Sequence, residues 1–174
     1  GILFRAFRVW RDGAFDEAGL MVRLGEGPYP ARNPAQNRAD ILAQLAACET
    51  GAQNICAMYG EFGSATVNAY VGFVQDNAEE NVRQVIDRLH DASFGVDMDC
   101  GALIRVALTV DRAARCLNVD FTGTSAQMDN NFNAPSAVCR AAVLYVFRCM
   151  VDADIPMNEG CLKPINIEIP DGCL

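Results

Sequence analysis

The sequence predicts an α+β fold: a long antiparallel helical hairpin, then a β-hairpin, a third helix and a further strand. Three observations predict it. Apolar residues recur at helical spacing along two long stretches between about residues 33 and 91. The period changes to two in the stretch that opens at about residue 102. No β-α-β alternation is visible, which favours segregated helices and strands over a doubly wound sheet.

Residues 1–32 alternate short apolar runs with glycine and proline. Ile2-Leu3-Phe4 and Phe7-Arg8-Val9-Trp10 read as short strands, and 25–30 as a loop. Asn33-Pro34 then opens the first long helix, a capping side chain followed by proline in the first turn. Ile41, Leu45, Cys48, Ala52, Ile55 and Tyr59 step by three or four and share one face. Gly60 and Gly63 end it, and Ser64 can cap the next helix. The second stripe is Val67, Val71, Val74, Ala78, Val82, Val85 and Leu89, with Glu79 and Arg83 paired on its polar side. Both stripes read as core, and the short link between them implies the antiparallel hairpin.

After a loop around 95–101, Ile104, Val106, Leu108 and Val110 point one way and Arg105, Ala107 and Thr109 the other. Asp111-Arg-Ala-Ala114 reads as a turn, and Leu117, Val119 and Phe121 continue the alternation. A third helix runs from about Ala134 to Asp152. Ile165, Ile167 and Ile169 form the last strand, in a β-hairpin, helix and strand region spanning about 102–170.

The chain has 174 residues, is 51% hydrophobic and carries a formal net charge of −8. That length suits one domain or part of a larger one. The acidic balance argues against nucleic acid and against anionic membrane surfaces. No apolar run is long enough to cross a bilayer. The eight cysteines include no C-x-x-C pair, and His90 is the only histidine, so an in-chain zinc site is not expected. The cysteines read as reduced, small apolar fillers of a cytoplasmic protein. The chain opens at Gly1-Ile2 and stops at Cys173-Leu174 directly after a Pro-Asp-Gly turn, so it is expected to be a fragment of a longer polypeptide.

Residues 120–135 hold the candidate chemistry. Hydroxyls, amides and one glycine crowd a loop between a strand and a helix, with no strong base among them. Asp120 alternates away from Val119 and Phe121, so it faces opposite the core, where it can orient a water or accept from a substrate N–H. The competing reading is a carboxylate that caps its own loop. Asn130, Asn131 and Asn133 can cap the following helix or stabilise an oxyanion. Asp97 and Asp99 could share a divalent ion, but carboxylates at this spacing more often bond their own turn. Asn158-Glu159-Gly160-Cys161 is a polar turn before the last strand.

Six segments together resemble one family. They are Arg32-Asn-Pro-Ala-Gln-Asn-Arg-Ala-Asp40 leading into Ala43-Gln-Leu-Ala-Ala47; Met98-Asp99-x-Gly101; Asp120-Phe-Thr-Gly-Thr-Ser125 with Gln127; Asn131-Phe-Asn-Ala-Pro135; Ala141-Ala-Val-Leu-Tyr-Val-Phe-Arg148; and Ile155-Pro-x-Asn-x-Gly-Cys-Leu-x-Pro164. In this order the wording resembles the hydantoinase B/oxoprolinase family, most of all its members that open 5-oxoproline.

The resemblance implies an ATP-dependent cyclic amidase that converts 5-oxo-L-proline to L-glutamate. Alternatives are an N-methylhydantoinase B subunit, an acetone or acetophenone carboxylase subunit, or a mainly scaffolding region. It implies a hydantoinase A-like ATPase half, fused or separate, that uses ATP and Mg2+, any divalent metal being held by residues outside this stretch, and an oligomeric assembly. Asp120 and Ser125 are the implied catalytic residues. Thr122, Gly123, Thr124, Asn131, Asn133 and Asn158 are the implied substrate-binding residues. The sequence departs from the family pattern at Cys100, where a second Asp is usual, at Asn130 for Gly, and at Cys173 for Ser. The fragment alone is expected to be inactive.

Overall fold

The computed structural model describes residues 2, 4–130 and 132–173. Among the described residues there are four α-helices and two sheets, a mixed α+β architecture. The chain forms two compact units, Gly1–Val67 and Asn68–Leu174.

In the first unit β1 (Trp10–Arg11) and β2 (Ala14–Phe15) pair antiparallel. Asp12 (φ 50) and Gly13 (φ 80) between them are both left-handed, as a tight two-residue hairpin turn requires. Of the strand expected at 7–10, only Trp10 is in β structure. The strand expected at 2–4 includes Leu3, outside the described residues. A helix not foreseen from the sequence, α1 (Glu17–Gly25), follows. Asp16 caps it by accepting from the Gly19 N–H at 2.9 Å, and Leu20 and Leu24 are buried one turn apart.

The helix α2 (Pro34–Phe62) starts where expected, with Asn33 accepting from the Gln36 N–H at 3.2 Å. It runs through Gly60 and stops at Gly63, whose N–H caps the Tyr59 carbonyl. No α2 residue is buried. Ile55, Met58, Tyr59 and Phe62 are exposed, against the expectation of a core stripe. Directly after Gly63 comes α3 (Ser64–Ile86). The antiparallel packing expected of these two helices is a relation between the units and stays an expectation.

In the second unit a four-stranded sheet runs β3 (Ala92–Asp97), β4 (Leu103–Asp111), β5 (Cys116–Asp120), β6 (Ile165–Glu168), in that order. Residues 92–97 form a strand where a loop was expected around 95–101. The first two pairings are antiparallel and β5–β6 is parallel. The connection from β5 to β6 carries α4 (Ser136–Met150) and a 3-10 turn (Glu159–Leu162), so one β-α-β unit exists where none was expected. A parallel pair needs such a crossover, because a short turn cannot return the chain to the same end. One sheet face is apolar. Leu117, Val119 and Ile165 pack there in one buried cluster with Ala78, Val82, Val85 and Ile86 of α3 and Val143 and Phe147 of α4.

The β4–β5 turn is tied to α3 by three arginines. Arg83 donates to the carbonyls of Ala114 (2.7 Å) and Arg115 (2.9 Å). Arg112 donates to the carbonyls of Asp87 (2.7 Å) and Leu89 (2.6 Å), just past the helix end. Arg115, at φ 53, forks onto Glu80 (3.0 Å) and Asp87 (2.7 Å). The Arg115 hydrogen bond is the first cause holding both carboxyls below their ordinary values.

All eight cysteines are free thiols. Only Cys161 is buried, and Cys48, Cys56, Cys100 and Cys149 are exposed, so the expected filler role holds for few of them. Among the described residues no helix is long and apolar enough to cross a membrane.

Two outcomes follow. A Cβ on the buried Gly160 would overlap the Gln75 carbonyl of α3, a backbone atom with little room to move. Gly160→Ala is therefore expected to cost about 1–3 kcal/mol, read as a lower midpoint in denaturant. Glu80 and Asp87 are depressed in the folded state, so their contribution is present above the unfolded carboxylate pKa and lost as pH falls through the folded values. Arg115→Ala should lower Tm at neutral pH and leave it nearly unchanged at a pH where both carboxyls are protonated.

Candidate functional site

The 120–133 loop leaves the carboxyl end of β5, where Asp120 pairs with Glu168 at the end of β6. Both strands of this parallel pair therefore end side by side, the kind of edge beside which α/β sheets hold ligands. Leu117 and Val119 are buried in the core, and the alternation turns Asn118 and Asp120 to the opposite face. On that face Asn166 donates to Asn118 Oδ1 at 2.6 Å and to Glu168 Oε1 at 3.2 Å.

Asp120 accepts from the Thr122 N–H at 2.8 Å. The Thr122 side chain first, and its N–H second, hold the Asp120 carboxyl below the usual carboxylate range. It is thus ionised at neutral pH and a weak base. It can accept a hydrogen bond or face a positive charge better than it can take a proton.

The hydroxyls that follow act as surrogate main chain. Thr124 Oγ1 accepts from the Arg105 N–H at 3.0 Å and donates to the Arg105 carbonyl at 3.1 Å. Ser125 Oγ accepts from the Leu103 N–H at 2.9 Å, while the Ser125 N–H donates to the Leu103 carbonyl at 2.8 Å. The loop therefore extends along β4 beyond the last regular pair, Ala107 with Asp120. Among the described residues the Ser125 hydroxyl proton is given to no acceptor, so one donor stays available there. Gly123 has φ +93, and a Cβ there would stand 3.0 Å from Arg105 Cδ. The Arg105 side chain thus crosses the loop. It is a cation beside Thr124 that the sequence pattern presented only as an outward strand residue.

The amides organise the far half of the loop. Asn133 accepts from the Met128 N–H at 3.0 Å and donates to the carbonyls of Met128 (2.6 Å) and Asn130 (3.1 Å). It does not cap α4, whose N-cap is Pro135 with no side-chain hydrogen bond. Asn130 accepts from the Phe132 N–H at 2.9 Å. Asn131 lies outside the described residues. Asn158 is spent on its own turn, accepting from the Gly160 N–H at 2.8 Å and donating to the Pro156 carbonyl.

Asp97 closes β3 opposite Leu103, the residue that also binds Ser125, so Asp97 and Ser125 flank one residue of β4. Asp99 sits in the β3–β4 turn, which Met98 and Gly101 close. Among the described residues no three His, Cys, Asp or Glu side chains gather to hold a metal ion.

The hydantoinase B/oxoprolinase family model matches residues 1–174. This chain belongs to the hydantoinase B/oxoprolinase family. It is 36% identical to 5-oxoprolinase 1 of Arabidopsis thaliana over 99% of this chain and 16% of the relative. It is 35% identical to 5-oxoprolinase of Saccharomyces cerevisiae over 95% of this chain and 14% of the relative. It thus spans about one-sixth or less of these curated relatives. Among solved structures, the ATP-dependent caprolactamase from Pseudomonas jessenii matches all of this chain and 30% of its own, at a TM-score of 0.70 and 18% identity. That likeness shows a shared fold.

The loop geometry predicts a stability effect separable from chemistry. Thr124→Val keeps the shape but strands the Arg105 N–H and carbonyl that the hydroxyl serves. A loss of about 1 kcal/mol is expected in denaturant unfolding, whereas Thr124→Ser should retain most of it.

Proposed function

We propose that this chain is part of the hydantoinase B half of an ATP-dependent cyclic amidase, acting on 5-oxo-L-proline to give L-glutamate. The observation that carries the reading is the 36% identity to a 5-oxoprolinase along nearly the whole chain. The caprolactamase sharing the fold is, by its name, also an ATP-dependent enzyme of a cyclic amide. ATP and Mg2+ belong in this reading to a hydantoinase A-like half, and the assembly to the cytoplasm.

The chemistry asks for a site of this kind. A five-membered lactam keeps its amide resonance and resists water at neutral pH. Activation at the amide oxygen makes it electrophilic, and the site must then position it and stabilise the negative charge that develops on oxygen. In our reading Asp120 accepts from the lactam N–H, which suits an ionised carboxylate on the open face of the sheet. The Ser125 hydroxyl donates a hydrogen bond to the oxygen on which negative charge develops. Arg105 faces the substrate carboxylate. Thr122, Gly123, Thr124 and Asn133 shape the loop around the substrate, and Asn131 is assigned with them to substrate binding. The base that activates water lies among residues beyond this stretch. A second reading, that the region serves mainly as scaffold and subunit contact, draws on α2, which buries no residue yet exposes Ile55, Met58 and Phe62.

Asp120→Asn in the complete enzyme separates the two. Asparagine still accepts from the Thr122 N–H, so Tm should stay close to wild type, while the charge is lost. We expect kcat for 5-oxoproline to fall on the order of 10²-fold. Unchanged turnover in a correctly assembled enzyme would favour the scaffold reading.

A further inference from the structure

The sheet of the second unit is finished at one edge only in appearance. At the β3 edge, every residue from Ala92 to Asp97 is exposed. In an antiparallel pair every second residue turns its N–H and C=O away from the partner strand, so among the described residues β3 offers unpaired main-chain groups along its outer side. Natural edges are usually blunted by lysine, proline, a bulge or a covering loop. The segment Ala-Ser-Phe-Gly-Val-Asp has no lysine and no proline, and it pairs with β4 without interruption over six residues. Its only charge is Asp97, at its end.

The inner face beside that edge is also bare. Phe94 is 69% exposed, Val96 48% and Ile104 37%. These side chains share the apolar face with Val106 and Leu108, because Phe94 pairs with Val106 and Val96 with Ile104. They border a cleft of about 540 Å³ between the sheet and α4, whose far wall includes Val138, Val146 and Met150.

An apolar small molecule could fill the cleft, but it would leave the β3 amides unpaired. A polypeptide strand meets both demands at once: main-chain bonds to β3, and alternate apolar side chains into the cleft. The matched relatives supply such chain in quantity, since this stretch covers only 16% and 14% of two of them and 30% of the caprolactamase that shares the fold. We propose that β3 is an interior strand in the complete protein, and that an extended segment from elsewhere in the same longer polypeptide adds to its free edge. That segment would run about five or six residues and place its apolar side chains over Phe94, Val96 and Ile104. The inference rests on the reading above only in taking this chain as part of a larger polypeptide, not on the substrate.

Two measurements on the complete polypeptide test it. In hydrogen exchange, the amides of Ser93, Gly95 and Asp97, which face away from β4, should be protected on the order of 10²-fold or more, comparable with β4, because these outward N–H groups are bonded. Exchange at the rate of an open edge would overturn the proposal. This uses the unaltered protein, so a folding defect cannot obscure it. In the second, Phe94 is replaced by photoreactive benzoylphenylalanine and irradiated. The expected product is a cross-link within one chain, independent of protein concentration, to an apolar segment outside these 174 residues. A link to residues 92–97 of another copy, or no link at all, would count against it. The mass of the native polypeptide checks the larger-chain premise separately, and neither readout depends on lactam turnover.

Discussion

Three guanidinium groups fix the β4–β5 turn of the second unit against the end of α3. Arg83, Arg112 and Arg115 clamp the β4–β5 turn to the last turns of α3. Each exposed ion pair alone is worth little. Arg112, however, satisfies carbonyls at the end of a helix, and Arg115 forks onto two carboxylates at once, so the geometry is fixed in several directions. With the turn so held, Leu117 and Val119 must meet α3 and α4 on one face, and period two then sends Asn118 and Asp120 to the other. The open position of Asp120 follows from the alternation that buries Leu117 and Val119 on the other face.

The same constraint explains why the polar loop is less free than its composition suggests. It leaves β5 beside a strand, β4, that extends four residues further, from Val106 to Leu103. The main-chain groups of Arg105 and Leu103 there would otherwise lack partners on that side. Thr124 and Ser125 supply them. Most of the loop's donors and acceptors are thus consumed in holding its shape, as are the amides of Asn133. Two capacities of the loop's own side chains are left over: the negative charge of Asp120, lowered in basicity by Thr122, and the hydroxyl proton of Ser125. Under the proposed function, this fixed acceptor and fixed donor would meet the N–H and C=O of a lactam. The site would need other residues to move protons.

How much of this was legible in the sequence differs by element. The long helices and the β4–β5 hairpin were legible, because apolar periodicity there is uninterrupted and the caps Asn33 and Gly63 mark the ends of α2. The β3 strand was not: its alternation is carried only by Phe94 and Val96, around a glycine. The nine residues of α1 were hidden because only Leu20 and Leu24 are buried in them. The parallel partnership of β5 and β6 joins strands 44 or more residues apart and leaves no local trace. For the candidate site, the position and facing of Asp120 could be read from period two. The uses of Thr124, Asn133 and Asn158 could not, since a hydroxyl or amide that binds backbone has the same spelling as one that binds a ligand. Arg105 escaped for a related reason, as its approach to the loop depends on Gly123 having no side chain.

The cysteines and the bare apolar positions point to one further step. A core filler should be buried, yet in the second unit only Cys161 is, while Phe94, Val96, Tyr145 and Val146 stand exposed. In the first unit α2 buries nothing over 29 residues. A helix of that length draws most of its stability in a protein from packing one face, not from intrinsic propensity. The apolar steps from Ile41 to Tyr59 are spaced for such a face. Sequence and structure disagree here only if this stretch is asked to be self-sufficient. The matched family members are several times longer than this chain, and its exposed stripes carry the spacing of buried surfaces.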